Sequence, residues 1–317
     1  MSLLQSLSSH DHIVVSGCGT RAMFLIGLFE YLTNHPCWDD IFGKLKGSAG
    51  VSSGCVIALA ILVGADFTAM KDALVELGRQ HDSIAPSLSV PLAMESFGLD
   101  DGNQLQLTID TVLHVAGLST STTFQSLSRL TGGKDFRVCA VNMHTMTPHF
   151  FCRNTTPHMP LRDAIYMSMT IPFIFKPRRW MGELYVDGGM LDNFPTSAFG
   201  DNVVPLVLYM SWNTTGSPTS LRTFACAIAC STLHVQLERL LRWGRDHPES
   251  VHVLVDGGDG EWVSLNTDPD YMLASSQRGL VQGLMCQRGE VLRLLSTVAI
   301  LATQAEQAKG RDTANDV

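Results

Sequence analysis

The sequence predicts an α/β fold in which helices cover both faces of a mainly parallel central sheet, a three-layer αβα arrangement. Short apolar runs with strand character alternate with longer segments of helical periodicity, which is typical of a parallel sheet. Hydrophobic residues make up 45% of the 317 residues and charged residues only 16%, which is enough for a large core. No repeat period or low-complexity linker divides the chain, so we expect one domain.

The N-terminal elements alternate as this fold requires. Residues 12–16 are an apolar run that predicts the first strand, and residues 20–32 repeat apolar side chains at helical spacing. The second strand is expected at residues 45–49, and a polar-faced helix at 66–80 begins with Asp66 as its N-cap. Residues 83–100 contain two prolines and are expected to form a loop, which is a candidate lid.

The remaining elements continue the pattern. Helices are expected at 103–115, 121–130, 161–169 and 219–243, and strands at 136–141, 149–152, 183–186, 203–210 and 251–255. We therefore expect an N-terminal extension at 1–11, a catalytic core at 12–210, a helical C-terminal part of the same domain at 211–303, and a polar tail at 304–317 that frays.

Composition excludes several classes of protein. A net charge of −8 argues against nucleic acid binding, which requires clustered cations. The first residues lack a basic, apolar signal sequence, and the longest apolar runs are about half of the roughly 20 residues that span a bilayer. Eight cysteines without a CxxC pair and eleven histidines without HExxH predict free thiols, no metal and no cofactor. We expect a cytoplasmic protein that meets membranes only at their surface.

The most specific motif is GVSSG at residues 50–54, between an apolar run and a helix-forming stretch. This layout predicts a nucleophile elbow, a sharp strand-to-helix turn that presents the Ser52 hydroxyl above the sheet. Gly50 and Gly54 allow the strand and the helix to approach closely. The helix N-terminus below the serine favours a negative charge.

Three further segments accompany the elbow in a fixed order. A glycine-rich loop with Gly17, Cys18, Gly19 and Arg21 follows the first strand. The sequence AIYMSMTIPFIFKP occupies residues 164–177, and an aspartate followed by two glycines ends the next strand at Asp187, Gly188 and Gly189.

Together these four motifs resemble those of the patatin-like phospholipases, over residues 12–210. The resemblance implies a patatin-like fold, Ser52 as nucleophile and Asp187 as its general base in a Ser–Asp dyad. It also implies an oxyanion hole formed by the backbone amides of Gly17, Cys18 and Gly19, with Arg21 in the family's basic position. The chain departs from the family's GGGxRG loop, because Cys18 replaces the middle glycine and Ala22 the last one.

The expected chemistry also follows from the residue types. A serine hydroxyl is a poor nucleophile and needs an adjacent base, which a carboxylate within hydrogen-bond reach can supply. The tetrahedral oxyanion needs fixed donors, which a glycine loop facing the serine provides. Ester hydrolysis through an acyl-enzyme is the reaction class that these groups predict.

Other residues compete for these roles. Ser48 lacks a glycine two positions earlier, Ser53 is expected in the first turn of the helix, and Asp256 begins a second Asp-Gly-Gly sequence. Asp192 is expected to be a turn residue beside the site, together with Asn193. A conventional triad would add one of three late histidines, which are His234, His247 and His252.

The expected function is a phospholipase A type lipid acyl hydrolase. A neutral-lipid lipase or acyltransferase using the same dyad, and a catalytically idle lipid-binding regulator, are the alternatives. Gly17, Gly19 and Ala22 also fit a dinucleotide fingerprint, but the acidic pair at 39–40 does not end a strand. Arg178, Arg179 and Trp180 lie at an expected turn, which is either an ordinary solvated hairpin or a contact with anionic lipid.

Overall fold

A computed structural model describes residues 2–80, 90–211, 224, 227–228, 231–256 and 267–287. The helices in these ranges are α1 Leu3–Ser9, α2 Ala22–Thr33, α3 Trp38–Lys44, α4 Gly54–Val63, α5 Phe67–Gln80, α6 Val90–Ser96, α7 Asn103–Val115, α8 Phe124–Leu130, α9 Leu161–Met169, α10 Leu233–Asp246 and α11 Pro269–Gln287. The strands are β1 His12–Val15, β2 Gly47–Val51, β3 Gly98–Asp100, β4 Asp135–Asn142, β5 Thr147–Cys152, β6 Phe173–Phe175, β7 Arg178–Trp180, β8 Glu183–Asp187, β9 Leu206–Ser211 and β10 Val251–Val255.

The main sheet is mixed, with a parallel half and an antiparallel half. Its order is β10-β9-β1-β2-β4-β8-β7, and β5 also pairs with β4. The strands from β10 to β4 are parallel, whereas β5, β7 and β8 are antiparallel to their neighbours. The expected three-layer α/β fold is confirmed, and an antiparallel edge is added to the mainly parallel sheet.

Helix α4 lies at the centre of the core. Every residue from Gly54 to Leu62 is buried, because its sequence is apolar on all faces and such a helix must be covered all round. On one side of it, α2 packs against α11 so closely that a methyl group at Gly27 or Gly279 would overlap the backbone of the opposite helix. The last described helix is therefore part of the main core.

Many element bounds agree with the sequence-based expectations. Helices 103–115 and 161–169 and the strand 251–255 have the expected limits, and the Asp66 carboxylate caps α5 by accepting a bond from the Ala69 amide at 3.0 Å. The second strand lies two residues later than expected, at Gly47–Val51. Residues 1–11 include α1, which buries Leu3 and Leu7 in the core.

The loop expected at 83–100 is wrong in its second part. Residues 90–96 form α6 and residues 98–100 form β3, which pairs in parallel with β6. The described residues do not include 81–89, the tail at 304–317 or several residues at the start of the helix expected at 219–243. No helix in the described ranges is long and apolar enough to cross a bilayer.

Candidate active site

Ser52 stands on a strained turn between β2 and α4. Its φ angle is 52°, a left-handed conformation that a non-glycine residue adopts at a cost of about 1–3 kcal/mol. The backbone amide of Ser52 donates to the hydroxyl of Ser168 at 2.8 Å, and that hydroxyl donates to the Cys139 carbonyl at 2.6 Å. Ser168 on α9 therefore stabilises the elbow that the sequence predicted.

The register of β4 brings Asp187 to Ser52. One edge of β4 is paired with β5, so β2 and β8 share the other edge one after the other. Val51, the last residue of β2, pairs with Cys139, and Asp187, the last residue of β8, pairs with Ala140. Two strands that run in opposite directions along one edge thus end at the same place, where Ser52 follows β2.

The Asp187 carboxylate lies buried at this junction. Burial raises its pKa from 3.8 to about 6, while side-chain hydrogen bonding with Ser52 and a bond from the Gly189 amide lower it. The Gly189 amide donates to the carboxylate at 2.8 Å. The group is therefore ionised at neutral pH and remains a stronger base than an exposed aspartate.

The glycine loop uses its first two amides for internal bonds. The Gly17 amide donates to the Asn193 side chain at 3.0 Å, and the Cys18 amide donates to the Ser53 hydroxyl at 3.1 Å. Neither amide is therefore available to a ligand in this arrangement. The Gly19 amide, the third predicted donor, has no acceptor among the residues that the structure describes.

Cys18 and Arg21 do not contact the space in front of Ser52. Burial raises the pKa of the Cys18 thiol to about 11, so it stays protonated and is no competing nucleophile. Arg21 is 2% exposed at the end of a 3₁₀ turn, Gly19–Arg21. Burial dominates the pKa of the Cys18 thiol, and the charge of Arg21 acts in the opposite direction and lowers it, so the field of Arg21 reaches the glycine loop.

An apolar cavity begins at Ser52. Its interior volume is about 110 Å³, it opens to solvent, and its exposed lining is almost entirely carbon. The walls come from the glycine loop, the elbow, α2, α4, α5, α7, α11 and the segment from the end of α9 to β6. The lining residues are Gly19, Thr20, Ala22, Met23, Ile26, Ser52, Ser53, Val56, Leu74, Leu105, Thr108, Val112, Met169, Ile171, Phe175, Thr267 and Met272.

Ser48 and Asp256, which compete for the catalytic roles, bond to other groups. Ser48 is fully buried and its hydroxyl donates to the Ala58 carbonyl at 2.8 Å. Asp256 forms an ion pair with Arg278 at 2.5 Å. Asp192 lies beyond the turn that follows Asp187, where burial raises its pKa to about 6.

The late histidines lie away from the cavity. His234 is 72% exposed and faces Glu238 at 3.7 Å. His252 hydrogen-bonds Ser6 at 2.7 Å, and His247 stacks on a tryptophan of α10. None of the three lines the cavity among the described residues, so the geometry does not favour a triad.

Three supporting residues have weak or no signals in the sequence. Ser168 lies inside the proline-containing segment at 164–177 and Asn193 inside the aspartate motif, so their positions were visible but their bonds were not. Gln236 lies on α10, where nothing in the sequence points to the site. Its side chain nevertheless bonds Asn193 and Gly189.

The fold and this site belong to the class of α/β proteins with a serine elbow beside a glycine loop. The chain belongs to the patatin-like phospholipase family, whose model matches residues 13–199. An uncharacterized protein of Acanthamoeba polyphaga mimivirus is 25% identical over 199 residues, which cover 62% of this chain and 64% of the relative. A protein of Invertebrate iridescent virus 6 named as a probable lipid hydrolase is 26% identical over 186 residues, covering 58% and 61%.

The solved structure of VipD from Legionella pneumophila has the same fold. It superposes with a TM-score of 0.51 at 14% identity, covering 87% of this chain and 66% of VipD. Each matched stretch spans less than two thirds of the viral relative or of VipD. The expected family and its fold are confirmed.

Proposed function

We propose that the protein is a lipid acyl hydrolase of the phospholipase A type, which cleaves fatty-acyl esters of phospholipids. The observation that carries the proposal is the meeting of Ser52 and Asp187 at the end of an apolar cavity. A cavity with carbon walls fits an acyl chain, and the serine at its end is where the ester carbon would lie.

The reaction proceeds in two steps through the dyad. The Ser52 oxygen attacks the ester carbon while its proton passes to the Asp187 carboxylate. Asp187 returns this proton to the leaving alcohol, the lysophospholipid, as the tetrahedral intermediate collapses to an acyl-enzyme. Asp187 then takes a proton from water, whose oxygen attacks the acyl carbon, and the fatty acid is released as Ser52 regains its proton.

The oxyanion would be held by a smaller set of donors than the sequence suggested. Since Gly17 and Cys18 donate to side chains, Gly19 is the loop residue that lines the cavity and whose amide no described residue engages. The first amides of α4, immediately after Ser52, add the positive end of a helix dipole. The bonds of the Gly17 and Cys18 amides then fix the conformation of the loop and so the position of Gly19.

The substrate would come from a lipid surface. Of the three residues expected to contact that surface, only one is exposed. Arg178 bonds Asp163 at 3.1 Å and covers the Tyr166 ring, and Trp180 is half-buried against the core. Arg179 is exposed, and Met181 at the tip of the same hairpin is 89% exposed. We therefore expect contact with anionic lipid through Arg179 and Met181, in a cytoplasmic protein that associates peripherally with membranes.

The lipid contact can be measured by vesicle sedimentation. Replacing Arg179 and Met181 together by alanine should weaken binding to anionic vesicles several-fold, because one cation is worth about 1 kcal/mol near such a surface. The exposed Arg79 on α5 provides an Arg→Ala control. Equal vesicle binding by the double variant and the wild type would contradict the contact.

The dyad is tested by labelling with a fluorophosphonate probe, beside fatty-acid release from mixed phospholipid and triglyceride micelles. We expect labelling of the wild type, none of Ser52→Ala, and a loss of about 10³-fold or more in turnover for Asp187→Asn. Changing His234, His247 and His252 singly to glutamine should leave both signals intact.

The other outcomes identify the alternatives. Release of fatty acid from triglyceride alone would indicate a neutral-lipid lipase. Transfer of the acyl group to an added alcohol would indicate an acyltransferase. Failure of the folded wild type to label at Ser52 would contradict the dyad and favour a lipid-binding regulator.

A further inference from the structure

Gln236 is a buried amide on a helix whose other residues, apart from Leu240, are exposed or half-buried. Only Gln236 and Leu240 are buried along α10, which lies outside the stretch 13–199 matched by the family. Burying an amide is costly unless its polar atoms find partners. The Gln236 side-chain oxygen accepts from the backbone N–H of Asn193 at 2.6 Å. The Gln236 side-chain nitrogen donates to the Gly189 carbonyl and to the Thr232 hydroxyl, both at 3.0 Å.

These bonds join the two loops that flank Ser52. The Asn193 side chain pairs with the Gly17 peptide in both directions, accepting its N–H at 3.0 Å and donating to its carbonyl at 3.3 Å. The Gly189 carbonyl accepts from Gln236, and the backbone N–H of Gly189 donates to the Asp187 carboxylate at 2.8 Å. One side chain therefore holds the turn after the base and, through Asn193, the glycine loop.

We propose that Gln236 is a positioning residue, which fixes the Asp187 turn and the glycine loop relative to each other. The proposal rests on the proposed function for its effect on rate. A base and an oxyanion donor contribute fully only in one geometry, and a displacement of about 1 Å can cost about 10²-fold. Because Gln236 comes from α10, the C-terminal part of the chain completes a site whose predicted catalytic residues all lie before it.

The bonding pattern specifies an amide at this position. The Asn193 amide requires an acceptor, and the Gly189 carbonyl requires a donor. Leucine has a similar size and offers neither. Gln236 also borders an open cavity, so an alanine would admit water that could restore these bonds. Leucine is therefore the sharper substitution.

The test compares Gln236→Leu with the matched control Gln106→Leu. Gln106 on α7 is 7% exposed, like Gln236 at 6%, but its amide has no hydrogen-bond partner among the described residues. With a water-soluble short-chain ester, Gln236→Leu should lower kcat about 10–100-fold at an unchanged KM. It should also speed hydrogen–deuterium exchange in the peptide covering residues 16–22, whereas Gln106→Leu should change neither.

A second variant keeps the test decisive if Gln236→Leu does not fold. In Gln236→Glu the protonated carboxyl can still donate to Gly189, but the ionised form repels that carbonyl. In the wild type, we expect kcat to rise as Asp187 ionises near pH 6 and then to stay level. The glutamate variant should instead lose rate as its new carboxyl ionises, so that it is slower than the wild type at high pH.

The outcomes separate this proposal from the proposed function. Exchange of residues 16–22 is measured without substrate, so it reports on the positioning role even if the wild type cleaves no ester. A folded Gln236→Leu with kcat within about twofold of the wild type, or with unchanged exchange, would overturn the proposal. A Gln236→Glu variant whose rate and pH profile match those of the wild type would overturn it as well.

Discussion

Asp187 is a buried carboxylate whose hydrogen-bond partners among the described residues are the Ser52 hydroxyl and the Gly189 amide. Burial raises its pKa to about 6, against the opposing effects of Ser52 and the Gly189 amide. A base whose pKa lies just below neutral pH is both ionised and strong enough to accept a proton from serine. The same burial that suits this task makes the ionised group costly to keep in the folded protein.

Asp187→Asn should therefore stabilise the protein in a pH-dependent way. A pKa raised from 3.8 to about 6 means that the folded wild type binds a proton at Asp187 more tightly than the unfolded chain does. The stability that the wild type gains from this proton is full below pH 3.8 and lost as the pH rises through about 6, whereas the asparagine variant does not lose it. At pH 8, Asp187→Asn should gain about 3 kcal/mol, and less than about 1 kcal/mol at pH 4. Urea unfolding at both pH values measures this, with the exposed Asp201→Asn as control. Equal gains at both pH values would contradict the argument.

The sequence could predict the residues whose signals are local, but not those that depend on folding. Ser52 and Asp187 stand in short motifs with glycines beside them, so residue types and spacing point to both. Ser168 bonds the Ser52 amide across 116 residues, and Gln236 bonds Asn193 across 43. The two amides of Gly17 and Cys18 were predicted to bind the oxyanion, but side chains from other segments accept their hydrogen bonds.

The elbow illustrates how one element is specified by its smallest residues. At Gly50, a methyl group would overlap the backbone of Cys55 in the first turn of α4. At Gly54, it would overlap the carbonyl of Val15 in β1. The turn can therefore present Ser52 only while β1, β2 and α4 remain in close backbone contact.

Gly50→Ala should destabilise the fold, because the added methyl meets backbone that has no rotamer to change. We expect a loss of about 3 kcal/mol in the free energy of unfolding. Gly43→Ala is the matched control, since Gly43 lies in α3 with nothing within 4 Å of an added methyl and alanine favours a helix. Denaturant unfolding of both variants measures the difference. A Gly50→Ala variant as stable as the wild type would show that the elbow relaxes without cost.

Elements with strong periodicity were predictable, and short elements made by distant pairing were not. Helices 103–115 and 161–169 have clear apolar spacing and the expected bounds. Strand β3 has only three residues and exists because it pairs with β6, more than seventy positions later along the chain. The prolines at 83–100 suggested a loop, but Pro91 lies in the first turn of α6, where proline is tolerated, and pairing with β6 forms the strand.

At the scale of the whole molecule, the site depends on elements from both ends of the chain. Ser52 and Asp187 come from the stretch matched by the family, while Gln236 comes from α10 and Met272 on α11 lines the cavity. Strand β10 pairs with β9 along five residues and completes the parallel half of the sheet. These contacts favour one domain over a self-sufficient core with an appended C-terminal part.

A chain ending at Ser211 should therefore fail to fold cooperatively, although it contains the whole family match at 13–199. It would lose β10 and expose the face of α2 that α11 covers, where Gly27 touches the backbone of Ser276. We expect non-cooperative thermal unfolding, weak near-ultraviolet circular dichroism and no fluorophosphonate labelling. Ser52→Ala in the full chain is the control, because it should abolish labelling while preserving the cooperative transition. A truncated chain that unfolds cooperatively and labels at the full-length rate would show instead that residues 1–211 are an independent catalytic domain, and that α10 and α11 only cover it.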